Sequence, residues 1–134
     1  MTMKKVSLCA SLLLAISAPV LAQSVAVVVN PKNASAISQE QISNIFLGKS
    51  NELVGVDLPD SNATRDVFYH KVTGKDGPQL KAYWAKLVFT GKAQPLKEMT
   101  SDADVKKFVA ANPSAIGYID KASVDGSVKV VLTP

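Results

Sequence analysis

Cysteine and histidine are almost absent from this sequence: its 134 residues include one of each, Cys9 and His70, and a single tryptophan, Trp84. One thiol and one imidazole cannot assemble a usual zinc site, so no metal is expected. Cys9 lies in a segment that is expected to be removed, which leaves neither a disulfide nor thiol chemistry. The domain must then rest on its hydrophobic core. A Ser/His/Asp triad is excluded unless His70 serves it, and no partner constellation accompanies that histidine. A non-enzyme without a cofactor is expected, with no catalytic residue.

Long hydrophobic runs are confined to the start. Lys4 and Lys5 precede an apolar stretch from Val6 to Ala18, and Val20-Leu21-Ala22 offers the small residues that a signal peptidase reads. Residues 1–22 are expected to be a secretory signal peptide cleaved after Ala22, too short at its core for a membrane span. Cys9 sits early in that run and follows Leu8, which argues against lipidation. The expected location is the periplasm or the exterior, with the membrane involved only through the signal.

A strong charge of one sign is lacking too. Losing Lys4 and Lys5 takes the formal net charge from +4 to +2. The basic side chains cluster nonetheless: Arg65 to Lys97 carries seven against Asp66 and Asp76, a surface for an anion or an acidic partner. Export and the absence of interleaved aromatics exclude nucleic acid.

Along residues 23–134, the β-branched run Ser24–Val29 predicts a strand buried on both faces. Ser38 and Gln41 form a capping box opening a short helix with Ile42, Ile45 and Phe46 inward, stopped at Gly48. Leu53–Leu58 predicts a second strand. A helix over about 63–72 follows, closed by Gly74, and Pro78 opens another with Leu80, Tyr83, Trp84, Leu87 and Val88 at helical spacing, ending at Gly91. Thr100 or Ser101 caps a fourth helix carrying Val105, Phe108 and Val109. Ala115–Ile119 and Val128–Leu132 read as closing strands. Phe-x-Gly-Lys occurs twice, at Phe46–Lys49 and Phe89–Lys92. One α/β domain is expected, a single mixed sheet covered by about four helices.

Three phrases in order carry a resemblance: Ile45-Phe46-Leu47-Gly48-Lys49, Asp60-Ser61-Asn62-Ala63-Thr64 leading to Phe68, and Asn112-Pro113-Ser114-Ala115-Ile116-Gly117-Tyr118-Ile119. Together they resemble the PstS-like phosphate-binding proteins of ABC transporters, in the type II periplasmic-binding superfamily. Tyr83-Trp84 and Phe89-Thr90-Gly91-Lys92 add a match to short stand-alone members. The resemblance implies one lobe of a two-lobed clamp that binds phosphate, with an ABC transporter or another envelope protein as partner. The chain begins at that lobe's first strand, which implies that the opposite half is missing; a second copy, as a homodimer, would supply one. Anchored on Phe68, the resemblance places Thr64 at the family's threonine, Asn62 at its serine, Ala63 at its glycine and Leu58 at its arginine. The last two are departures.

The candidate ligand-binding residues are Ser61, Asn62, Thr64 and Arg65, at a helix start where backbone N–H groups, hydroxyls and a guanidinium suit an oxyanion. Arg65 is expected to fold back over the anion in place of the lost arginine. In the competing reading, Ser61 or Asn62 only caps the helix and Arg65 is solvated. Asp60 repels a dianion but accepts a proton from a monoanion, or simply shapes the turn. Lys49 and Lys92 suit the helix C-termini they follow, and Tyr83, Trp84 and Phe89 are expected to pack. Gly117 is expected to permit close approach, with Tyr118 packed. The functional alternative to oxyanion binding is a lobe repurposed as a non-catalytic interaction module of the cell envelope.

Overall fold

The computed structural model describes residues 24–134; the expected signal peptide and its cleavage point after Ala22 lie outside the described residues. Strand β1 (Val25–Val29) is followed by helix α1 (Gln39–Phe46), β2 (Val54–Asp57), α2 (Ala63–Thr73), α3 (Gly77–Phe89) and β3 (Lys97–Glu98). Helix α4 (Asp102–Ala111), β4 (Ala115–Asp120), a short 3-10 turn (Lys121–Ser123) and β5 (Lys129–Leu132) complete the chain. The strands form one mixed sheet in the order β3-β2-β4-β1-β5. β1 runs antiparallel to β4 and β5, whereas β2 is parallel to β3 and β4.

Local chemistry sets most of these boundaries. Ser38 and Gln41 make the expected reciprocal capping box, and Asp76 with Gln79 makes a second one at α3. Ser101, not Thr100, caps α4. Gly48 stands just beyond α1 with φ 72°, a backbone that a side chain strains, and a Cβ there would also meet the Trp84 ring at 3.0 Å. The small residue thus lets α3 close against the end of α1, where the Tyr83 hydroxyl donates to the Leu47 carbonyl at 2.6 Å.

Both faces of the sheet are covered, which is why all five residues of β1 are buried. Successive strand residues face opposite sides, and β4 shows the consequence. At Gly117 the position of a Cβ lies 2.6 Å from Val105 of α4 and 3.0 Å from Val56, so only glycine lets α4 lie this close. The next residue, Tyr118, points to the other face, into Phe46 of α1 and Phe68 and Tyr69 of α2. Asn30 closes the end of β1 by donating from Nδ2 to the carbonyls of Val109 and Ala110, each at 2.9 Å.

α3 departs from its sequence pattern. Of its five apolar positions only Leu80 is fully buried; Tyr83 and Trp84 are half-buried and Val88 is exposed. Phe89, expected to pack, is 92% exposed. Strand β3 was not anticipated, because two exposed residues, Lys97 and Glu98, carry no alternation and are ordered only by pairing with Val56 and Asp57.

Candidate functional site

The head of α2 gathers the residues singled out from the sequence. Asn62 is the N-cap: its Oδ1 accepts from the Thr64 amide at 2.9 Å, its own amide donates to the Pro59 carbonyl at 2.9 Å, and its carbonyl accepts from the Arg65 amide at 3.1 Å. The cap therefore uses amides that an anion would otherwise take. Ser61 is exposed, and Thr64 is buried, with 3% exposure. Leu58, at the place of the family's arginine, is fully buried in the core and has no face toward a ligand.

Arg65 folds back over the helix start, where it meets two carboxylates. Its Nε lies 3.4 Å from Asp57 Oδ1 and its terminal nitrogen 3.0 Å from Asp60 Oδ1. The guanidinium carbon also sits 5.0 Å above the Tyr69 ring. Asp60 is on the solvent side of this arrangement, its side chain 78% exposed, while those of Arg65 and Asp57 are both at 12%. Burial lowers the Arg65 pKa, yet the neighbouring acidic groups, the Asp57 carboxylate foremost, outweigh it and hold the guanidinium above its ordinary value.

Asp57 is the residue that sequence reasoning missed. It ends β2 beneath the aromatic cluster, where Tyr69 donates to Oδ2 at 2.8 Å and Tyr118 donates a short hydrogen bond to Oδ1. The Leu58 amide adds donation to Oδ1 at 2.9 Å and to the Tyr118 hydroxyl at 3.1 Å. A carboxylate out of water needs this number of donors. The signal available was an aspartate inside an otherwise apolar strand run, Leu53 to Leu58.

Burial first, and the neighbouring Asp57 charge second, push both Tyr69 and Tyr118 above the ordinary tyrosine range. The unfolded chain releases these protons at about pH 10, whereas the folded chain keeps them. Stability from this source is therefore complete below about pH 10 and falls above it, by about 1.4 kcal/mol per pH unit for each tyrosine. Urea melts between about pH 9 and pH 11 should show that decline, and Tyr118→Phe should flatten it. A slope unchanged by the substitution would mean that Tyr118 titrates alike in both states.

The surface carries two notable hollows. One, of about 300 Å³, opens beside α2 between Asp60, Arg65, Asp66, Gly77, Pro78 and Lys81. A larger one, of about 620 Å³, lies between the ends of α1 and α3. Among the described residues no group of three or more potential metal ligands gathers, and no helix is long and apolar enough to cross a membrane. His70 is exposed on α2.

With the fold in view, its class is clear: one open five-stranded mixed sheet with four helices matches a single lobe of PstS-like binding proteins. An ABC-type phosphate transport receptor from Vibrio cholerae superposes with a TM-score of 0.61 at 22% identity, covering 81% of this chain and 45% of that one. A phosphate ABC transporter substrate-binding protein with bound phosphate from Clostridium perfringens gives 0.64 at 26% identity, covering 81% and 44%. PstS from Borrelia burgdorferi gives 0.55 at 14%, covering 81% and 46%. The chain thus spans less than half the length of these structures. No protein-family model matches it, and no curated protein does. The resemblance read from the three sequence phrases is borne out at the level of fold.

Proposed function

We propose that this chain is an exported, non-enzymatic solute-binding lobe of the phosphate-binding type, holding phosphate or a similar oxyanion without covalent chemistry at the head of α2. The observation that carries this reading is the seating of Arg65. Its guanidinium is largely desolvated and oriented from below by Asp57, while its outer contact, Asp60, is an exposed carboxylate. An oxyanion arriving from solvent competes with that single exposed carboxylate, and a guanidinium already ordered loses little entropy on binding it. Lys81 lines the 300 Å³ hollow beside Arg65 and adds a second cation, and the exposed Ser61 hydroxyl stands next to the Asn62 cap. Asn62 and Thr64 shape the helix start.

Asp60 and Asp66 line the same hollow. Their charge opposes a dianion, whereas a protonated phosphate can donate to Asp60. Sulfate carries no such proton and should bind more weakly. One wall does not enclose a ligand, so binding is expected to be weak unless a second lobe, a second copy or an envelope transporter closes over it.

Isothermal titration of the purified chain with phosphate, and with sulfate for comparison, tests this. Arg65→Ala should weaken phosphate binding by about 1.5–3 kcal/mol, the loss of a charge-assisted contact. Because that change also leaves Asp57 unpaired, Ser61→Ala is the cleaner second variant; it removes an exposed hydroxyl and should weaken binding without lowering the melting temperature. Absence of heat up to millimolar phosphate would end the reading.

A further inference from the structure

The larger hollow is built from the repeated motif. Both Phe-x-Gly-Lys segments turn out of a helix through a left-handed glycine, Gly48 with φ 72° and Gly91 with φ 69°, and the lysines that follow, Lys49 and Lys92, both line the 620 Å³ cavity. Lys97 lines it too, with its ammonium 4.9 Å from the Phe108 ring. No aspartate or glutamate lines it; the nearby Glu52 belongs to a separate hollow with Val29 and Asn33. Neither Lys49 nor Lys92 has an ion-pair partner among the described residues. The cavity wall is therefore uniformly positive.

Its backbone argues against a small tetrahedral anion. The amides of Gly48, Lys49 and Lys92 donate internally, to Ile45, Asn44 and Leu87 at 3.2, 2.8 and 3.0 Å. No nest of free N–H groups is left at these corners to wrap an oxyanion. What the cavity offers instead is ammonium charge above apolar side chains, including Leu53, Leu96 and the half-exposed Val54. Phe89, at the end of α3 and three residues before Lys92, is 92% exposed. An aromatic held in water beside a positive rim is the surface of an anchor, with lysines that steer the approach of opposite charge.

We infer that this cavity docks an acidic segment of a partner protein, carrying carboxylates for Lys49 and Lys92 and an apolar side chain for Phe89 and Val54. This surface is separate from the head of α2 and does not depend on oxyanion binding there.

The test is fluorescence anisotropy of the purified chain with a short labelled peptide of alternating glutamate and leucine, beside its glutamine counterpart. The glutamate peptide should bind saturably and weaken as salt rises. Lys49→Glu combined with Lys92→Glu should lower affinity at least about tenfold, and Phe89→Ser several-fold. All three side chains are exposed, so melting temperatures should hold, and the double charge reversal should leave phosphate titration unchanged. Equal binding of the glutamine peptide, no saturation, or affinity unchanged by the charge reversal would overturn the inference. So would displacement by inorganic tripolyphosphate that Phe89→Ser leaves unaltered, which would make this a site for a small polyanion.

Discussion

Asp57→Ala should destabilise the chain by about 3–5 kcal/mol, the cost of removing one partner from a buried charged network. The loss is large because three groups depend on this carboxylate. Tyr69 and Tyr118 would keep buried hydroxyls without their acceptor, and Arg65 Nε, which has no hydrogen-bond partner and only the 3.4 Å ion pair, would lose its compensating charge. Asp57→Asn preserves shape and one acceptor oxygen and should cost less, about 1–3 kcal/mol. Chemical denaturation of both variants checks the order. The two groups are coupled, so Arg65→Ala should cost less in the Asp57→Ala background than alone. Full additivity, or a loss near zero for Asp57→Ala, would show that the network contributes little.

This network joins fold to site. β2 carries Asp57 under the sheet's aromatic face, Asp57 orients Arg65, and Arg65 lies across the head of α2. A polar group in the core therefore determines where a largely buried guanidinium points. That chain of contacts also bears on one departure from the resembled phrases, the one at Leu58. Leu58 gives the core an apolar residue where the family has an arginine, while Arg65, seven residues later, brings a guanidinium back to the same helix start.

The parts of this architecture that were legible in the sequence are those set by neighbours along the chain. Ser38 with Gln41, Asn62, and the glycines at 48, 74 and 91 act within one helical turn, so their spacing suffices. The continuous β-branched run of β1 likewise announces burial on both faces. Asp57 was not legible as a site residue, because its partners lie 12 and 61 residues away and its place in the strand run Leu53–Leu58 does not name them. β3 escaped for the same reason, being ordered by a partner rather than by its own pattern. At Arg65 the helical position was readable but the direction of the side chain was not. The family resemblance pointed to the head of α2, whereas Asp57 and Asp60 decide what the guanidinium touches there.

Phe46→Ala should cost about 3–5 kcal/mol, and Phe89→Ala should stay within about 0.5 kcal/mol of the parent, although both stand at the head of the same four-residue motif. Phe46 is fully buried, with its ring edge-on to Phe68 at 4.8 Å, Tyr118 at 5.6 Å and Tyr69 at 6.2 Å. Phe68 in turn stacks on Tyr118 at 4.0 Å, so removing Phe46 opens a cavity against rings already held by Asp57 and unable to collapse into it. Phe89 has no such neighbours. The difference arises from the helices, since α1 turns its last residue into the aromatic cluster whereas α3 leaves its last residue in solvent. Urea denaturation of the two variants side by side separates local motif from tertiary setting. A comparable loss in Phe89→Ala would mean that the ring is covered in the folded chain, and would withdraw it from the docking surface as well.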